Sequence, residues 1–246
     1  MNHAIILAGG KGVRFQGNIP KQFIEMTGHP LLHYSLRTAQ ISPHVDAICV
    51  VAPLAYHEQV MAWAKEAQVT KPLILAKAGK ERYCSVYNGL RALQAEAGDT
   101  VIVMTAVCPF VSQRTMDKLY AAMDKYDACI TVVKAVDAIT FSSNGKEASC
   151  TMQKKKIFVQ QGPQIYRYEV LIKAHEAYRA EENRTEVNED SELVMKQGVE
   201  CGMVLGDRFC LKVTFPEDLA IVEALYPLFI RQEQDMTVKT AAEAFG

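Results

Sequence analysis

The chain has 246 residues, of which 49% are hydrophobic and 22% charged, and its formal net charge is −1. Such a length carries one α/β domain with a substantial core, while the near-neutral balance lacks the basic excess of a nucleic-acid binder. No apolar run reaches the length of a membrane span, the opening residues lack the basic start and cleavage site of a secretory signal, and seven cysteines without a C-x-x-C pair read as reduced thiols; the expectation is a cytoplasmic protein with no membrane partner, no nucleic-acid partner and no built-in transition-metal site.

Short apolar runs alternate with helical patterns along the chain. Residues 3–8 form a first apolar strand that ends at Gly9, and residues 46–52, 72–76, 100–104 and 128–134 repeat the pattern. Continuous apolar runs of this length suit strands buried on both faces. Between them Val86, Gly89, Leu90 and Leu93, and later Met116, Leu119, Tyr120 and Met123, recur at helical spacing. This alternation predicts an α/β fold, a doubly wound and mainly parallel sheet. It breaks at 137–161, a polar, turn-rich stretch in which Asn144-Gly145 is a hairpin signal. A hairpin so polar has little core of its own, so it is expected to project as a β-arm and pack on a second subunit. A helix is expected near 166–182. Thr214-Phe215-Pro216-Glu217 reads as a further helix start, with Thr214 as cap and Pro216 in the first turn. Residues 1–246 are thus expected to form one domain that carries the arm.

The first strand empties into Ala8-Gly9-Gly10-Lys11-Gly12-Val13-Arg14-Phe15. Glycines at such a place let backbone N–H groups approach a phosphate without side-chain obstruction. A dinucleotide fingerprint needs a small residue where Phe15 stands, and the second strand ends in Val50-Val51-Ala52 without the acidic residue that would hold a ribose, so a nicotinamide-dependent oxidoreductase is disfavoured. A P-loop would close on Gly-Lys-Ser/Thr, which is absent. What remains is A-G-G-x-G-x-R followed by Pro20-Lys21-Gln22. Two cations, Arg14 and Lys21, then stand beside a glycine turn, as neutralisation of a triphosphate requires. A glycine turn with two solvated cations carries no chemistry by itself; the Pro-Lys-Gln that follows changes the reading.

Two further motifs keep order and spacing with these. They are Gly79-Lys80-Glu81-Arg82-Tyr83-Cys84-Ser85-Val86 and Lys212-Val213-Thr214-Phe215-Pro216-Glu217-Asp218-Leu219. Together with the glycine loop and Pro20-Lys21-Gln22-Phe23, they span nearly the whole chain, and the series resembles the 2-C-methyl-D-erythritol 4-phosphate and ribitol 5-phosphate cytidylyltransferases. The resemblance implies a nucleotidyltransferase-like fold and CTP with a small phosphorylated polyol as the two substrates. An acceptor phosphate oxygen would attack the α-phosphorus of CTP and pyrophosphate would leave in line, with no covalent enzyme intermediate. Arg14 and Lys21 would hold the triphosphate and Lys212 would approach the α-phosphate. Ala8 and Gly9 would offer backbone groups to the cytosine, Gly10 and Gly12 would complete the loop, and Gly79 and Ser85 would close the base and ribose pocket. Mg²⁺ would be held mainly by the nucleotide phosphates, and a homodimer would form through embracing arms. Alone, Lys212 reads as a solvated strand-end lysine, Ser85 as an N-cap and Arg82 as an ordinary ion-pair partner.

Departures from the family pattern cluster. The family's H-D-A-x-R-P stands here as Met104-Thr105-Ala106-Val107-Cys108-Pro109, and its T-P-Q as Gly162-Pro163-Gln164. An arginine on the arm aligns with Lys154, and a threonine aligns near Val187 or Asn188. In the family these positions mainly receive the sugar phosphate, so Thr105, Cys108, Asp137, Lys154 and Gly162 are the acceptor-side candidates. A neutral Thr105 is a poor Mg²⁺ ligand. Asp137 has two readings, binding acceptor hydroxyls or fixing the turn. Cys108 also has two, a reactive thiol or a small apolar filler, and Lys155 and Lys156 read equally as acceptor contacts or as a solvated hairpin. Two functions follow. One is a cytidylyltransferase with a changed acceptor, favoured because Arg14, Lys21 and Lys212 are all retained. The other is a nucleotide-binding homologue without turnover, serving as a regulator or scaffold.

Overall fold

The structure, a computed structural model, describes residues 1–10 and 19–245, with the backbone alone for 236–245. In chain order the elements are β1 (Asn2–Leu7), the short pair β2 (Glu25–Met26) and β3 (His29–Pro30), α1 (Leu31–Ile41), β4 (Ala47–Ala52), α2 (His57–Glu66), β5 (Leu73–Lys77), α3 (Arg82–Ala92), β6 (Thr100–Thr105), α4 (Gln113–Ala122), β7 (Ala128–Lys134), the arm strands β8 (Thr140–Phe141) and β9 (Cys150–Thr151), β10 (Phe158–Arg167), α5 (Tyr168–Ala180), α6 (Asp190–Lys196), β11 (Cys201–Leu205) and α7 (Pro216–Phe245). Among the described residues no helix is long and apolar enough to cross a membrane.

Seven strands make one sheet in the order β11-β7-β10-β6-β1-β4-β5. Strand β1 lies inside the sheet and pairs in parallel with β4 (Ala4 beside Ile48) and with β6 (Ala4 beside Ile102). Only β10 runs against its neighbours β6 and β7. Side chains alternate across a strand, and β1 shows why its apolar run is unbroken. Ala4 and Ile6 belong to the core shared with Leu32 and Leu36 of α1, Val60 and Ala64 of α2, and Met116 and Leu119 of α4. Ile5 and Leu7 belong to the opposite core, with Val86 and Leu90 of α3, Leu171 and Ala174 of α5, and Leu193 and Val194 of α6. Both faces of the sheet are therefore covered, as the sequence predicts for a doubly wound α/β fold. A third cluster seats α7. Val222 and Phe229 pack with Leu31, Tyr34 and Phe110 around the buried Val213, and Phe110 and Phe229 stack at 4.8 Å between ring centroids.

Two expectations change in detail. The arm is shorter than 137–161, because residues 158–160 already pair with β7 as the start of β10. Its tip turns at Asn144-Gly145, where Gly145 takes φ +70°, a conformation that favours glycine. The start of α7 is also capped differently. The Asp218 carboxylate accepts the amides of Thr214 at 2.7 Å and Phe215 at 2.8 Å, while the Thr214 hydroxyl turns back to the Lys212 carbonyl at 3.1 Å. Carboxylate charge at a helix N-terminus competes better for these amides than a hydroxyl does.

One buried polar network crosses the α3–α5–α6 side. Arg82, the first residue of α3, pairs with Glu189 at 2.9 Å and with Asp190. Asp190 also meets His175 of α5 at 3.0 Å, and Glu189 accepts from Gln164 of β10, which in turn accepts from the Tyr166 hydroxyl. Burial by itself would raise the Asp190 carboxyl, but Arg82 and the hydrogen bond with His175 outweigh it and hold the group at about 2. Replacing Asp190→Asn should lower stability by about 3 kcal/mol at pH 7, the low end for a broken buried pair because Glu189 still faces Arg82. The folded-state value lies below the ordinary 3.8 of an aspartate, so the contribution is present above about pH 4 and is lost as pH falls toward 2. Urea unfolding of the two proteins across that range should show the gap closing; a gap that persists unchanged at the acid end would contradict this assignment.

Candidate functional site

From β1 the chain goes to β4 and β5 on one side of the sheet and then crosses to β6 on the other. The carboxyl ends of β1 and β6 thus flank the point where strand order reverses, which in open α/β sheets is where a ligand cleft forms. A cavity of about 770 Å³ opens there, with Leu7, Gly9 and Gly10 on one wall and Thr105, Val107 and Cys108 on the other. That volume is within the range of small-molecule sites.

On the β1 side, two glycines are required by close approach. A Cβ on Gly9 would lie 2.5 Å from the Ala78 Cβ, and one on Gly79 would lie 2.3 Å from the Cys84 Cβ. The Ser85 hydroxyl accepts the Gly79 amide at 2.9 Å and donates to the Glu81 carbonyl at 3.3 Å, so it ties the corner that leads into α3. Arg82 anchors the same corner through its ion pairs, which is the plain reading of that residue. Gln22 is buried, and its side-chain amide donates to the carbonyls of Ala8 at 2.7 Å and Gly10 at 3.0 Å. The Ala8 amide already donates to the Val51 carbonyl at 2.8 Å. Ala8 is buried, and Gly9 and Gly10 are the loop residues on the cavity lining. Gly12 and Arg14 lie outside the described residues.

Two lysines come together from opposite ends of the chain. The Lys21 ammonium donates to the Val213 carbonyl at 3.1 Å. Val213 is itself fixed by its amide, which donates to the Val107 carbonyl at 2.8 Å. This brings Lys21 to the residue that follows Lys212, and both lysines line the cavity. Sequence reasoning left out three further cations on the lining, Lys80, Lys134 and Arg208. Lys134 ends β7 and Arg208 sits in the turn after β11, positions that look like solvated surface in one dimension. With Arg82 they make six cationic side chains against the carboxylates Glu81, Asp137 and Glu189 among the described lining residues. Arg82 and Glu189 are already paired. The remaining balance is positive, which suits a phosphate-rich ligand.

The sequence departures meet one another in space. A Cβ on Gly162 would lie 3.0 Å from the Cys108 sulfur and 3.3 Å from the Thr105 methyl. Cys108 and Cys210 are both buried on the cavity wall. Hydrogen bonding with Cys108, together with burial, pushes the Cys210 thiol well up, so Cys210 stays a neutral thiol at physiological pH and the pair packs as small uncharged groups. Gly162 occupies a bulge in β10, where the register shifts between Gln160 and Gln164. Asp137 lines the cavity at the root of the arm, whereas Lys154, Lys155 and Lys156 lie exposed on the arm and do not line it. Val187 and Asn188 line an adjoining hollow with Arg82 and Arg184.

One donor cluster lies away from this cavity. His29-Pro30-Leu31-Leu32-His33 is an H-x-x-x-H spacing, and a ligand atom from each histidine and from Glu66 lie within 4.8 Å of one another. The expectation of no built-in transition-metal site passes over that spacing.

Comparison with known proteins agrees with the geometry. Residues 2–227 match the family model described as 2-C-methyl-D-erythritol 4-phosphate cytidylyltransferase. A relative of that name from Geobacter metallireducens is 34% identical over 90% of this chain and 95% of its own. Another from Lachnospira eligens is 30% identical over 90% and 97%. The crystal structure of 4-diphosphocytidyl-2C-methyl-D-erythritol synthase from Anaerococcus prevotii superimposes with a TM-score of 0.80 at 24% identity, over 92% of this chain and 98% of that one. The Francisella tularensis 2-C-methyl-D-erythritol 4-phosphate cytidylyltransferase gives 0.75 at 23%, over 89% and 97%. With matched motifs, a shared fold and a family model that spans nine-tenths of its length, this chain belongs to the 2-C-methyl-D-erythritol 4-phosphate cytidylyltransferase family.

Proposed function

We propose that this protein transfers CMP from CTP to a small phosphorylated polyol and releases pyrophosphate. The observation that carries the reading is the single cavity that gathers the glycine loop, Lys21, Lys212 and the Gly79–Ser85 corner at the sheet's switch point. An acceptor phosphate oxygen attacks the α-phosphorus, the bond from that phosphorus to the bridging oxygen of the β-phosphate breaks, and pyrophosphate carries away the electron pair. No proton has to be moved by a side chain, so the enzyme's work is alignment and charge stabilisation. Lys21 and Lys212 hold the triphosphate, with Arg14 assigned to the same task by its place in the motif. Gly9, Gly10, Gly79 and Ser85 leave room for the base and ribose.

The donor set suits Mg²⁺ carried in by the nucleotide. Thr105 offers a neutral oxygen, Glu189 is engaged by Arg82 and Gln164, and Asp137 stands at the lip. Mg²⁺ bound to the phosphates supplies charge neutralisation. At the acceptor end, Thr105, Cys108 and Gly162 form a neutral wall, while Lys134 and Arg208 supply positive charge elsewhere on the lining. These departures bear on which phosphorylated polyol is taken.

The arm supports a homodimer. Its residues are almost all exposed, and Phe141 and Met152 are 50% and 40% exposed. Apolar surface on a hairpin too small for its own core favours burial against a second copy.

Pyrophosphate release with CTP and Mg²⁺ should appear with one member of a panel containing 2-C-methyl-D-erythritol 4-phosphate and the phosphates of ribitol, erythritol and glycerol. Lys212→Ala should lower kcat by about 10²–10³-fold. CTP binding with no release for any acceptor would favour the reading of a nucleotide-binding homologue without turnover. Gly162→Thr should cost about 1–3 kcal/mol through overpacking, and Cys108→Ala should relieve part of that cost, because the new side chain meets the Cys108 sulfur; strict additivity in the double-mutant cycle would break the link. Sedimentation at micromolar concentration should give a dimer that Phe141→Asp weakens, and a monomeric wild type would remove the dimer from the proposal.

A further inference from the structure

The cluster of His29, His33 and Glu66 lies outside the nucleotide cavity, and none of the three lines it. Its donors sit on three separately fixed elements. His29 follows the tight turn between β2 and β3, where Thr27 and Gly28 take φ values of 48° and 86°. That turn is pinned by the Tyr34 hydroxyl, which bonds to both the Thr27 side chain and the Met26 carbonyl. His33 lies in the first turn of α1. Glu66 is the last residue of α2, and α1 is held to that end of α2 by Arg37, whose guanidinium donates to the Ala67 carbonyl at 3.3 Å.

The side chains are already gathered. His29 Nδ1 lies 2.6 Å from Glu66 Oε1, and the two imidazoles stack with centroids 4.1 Å apart and planes 12° from parallel, so one ring turns out of the stack for both to face one ion. His33 Nδ1 is buried and has no hydrogen-bond partner among the described residues. A buried ring nitrogen without a partner calls for an explanation, and a stacked pair of imidazoles provides none. Arg37 nearby opposes a cation, and the Glu66 carboxylate offsets it.

We propose that His29, His33 and Glu66 form a binding site for one divalent transition metal of the zinc class. Two imidazoles and one carboxylate are the donor types such an ion takes, with a fourth position left for water. Hard ions such as Mg²⁺ prefer an all-oxygen shell and are excluded by the two nitrogens. The bound ion ties the β3–α1 corner to the end of α2, so it acts as a clip on the fold and has no part in the transfer reaction.

The test uses the full chain, free of nucleotide because triphosphates chelate the same ions. Calorimetric titration with Zn²⁺ should give one site per chain in the micromolar range. Co²⁺ at the same site should give visible d–d absorption without the near-ultraviolet charge-transfer band of a thiolate, and Cys150→Ala, which removes the exposed thiol, should leave both results unchanged. His33→Ala should weaken binding at least ten-fold, and so should Glu66→Gln, a change at an exposed helix end that keeps the fold. At Zn²⁺ a hundred times above its Kd, Tm of the wild type should rise by about 5–10 °C, with no rise in the His29→Ala/His33→Ala double variant. Zn²⁺ affinity and stoichiometry unchanged in that double variant would overturn the proposal, as would wild-type binding no tighter than millimolar.

Discussion

The cavity depends on one close contact, the meeting of the loop after β1 with the corner after β5. A Cβ on Gly9 would sit 2.5 Å from Ala78, so the two backbones touch only because Gly9 has no side chain. The Ser85 hydroxyl then holds the Gly79 amide, Gln22 holds the carbonyls on either side of Gly9, and Arg82 anchors the start of α3 to Glu189 and Asp190. Backbone groups are thereby brought to a fixed surface with few soft torsions. Such preorganisation is what phosphoryl-type transfer needs, since its catalysis is mostly positioning.

The opposite wall is built from a longer range of sequence. Val213 is the hinge of it. Its amide is bound to Val107 in the loop after β6, its carbonyl receives the Lys21 ammonium, and its side chain is buried under α7. Three distant segments thus converge on one residue flanked by Lys212. The clamp gives α7 a function beyond packing, because the helix start fixes where Lys212 emerges. Asp218 secures that start with two amide contacts.

The departures from the family motifs cluster in the structure. Thr105, Cys108 and Gly162 touch in space although they come from β6, the loop after it and the bulge of β10. Exchange of a motif's aspartate and arginine for neutral groups leaves the summed charge nearly constant but removes a local dipole. Cys108 packs with Cys210. Positive charge on the lining comes instead from Lys134 and Arg208, at the ends of strands whose termini converge at the cavity.

The sequence by itself determined the alternation of strands and helices, since unbroken apolar runs such as Ile5 to Leu7 can be satisfied only where helices cover both faces. It also determined the glycine loop and the motif lysines, whose residue types are set by steric room and charge. Local pattern could not give the antiparallel direction of β10, the return of residues 158–160 to the main sheet or the choice of Asp218 over Thr214 at the start of α7, because each is decided by competition among partners. Lys134 and Arg208 carry no signal in one dimension; a lysine at a strand end looks solvated until the strand ends are brought together. His29 and His33 were legible as a spacing, but only the packing of α1 against α2 places Glu66 beside them. Tertiary structure decides such sites because they are made of residues whose separation in sequence is unrelated to their distance in space.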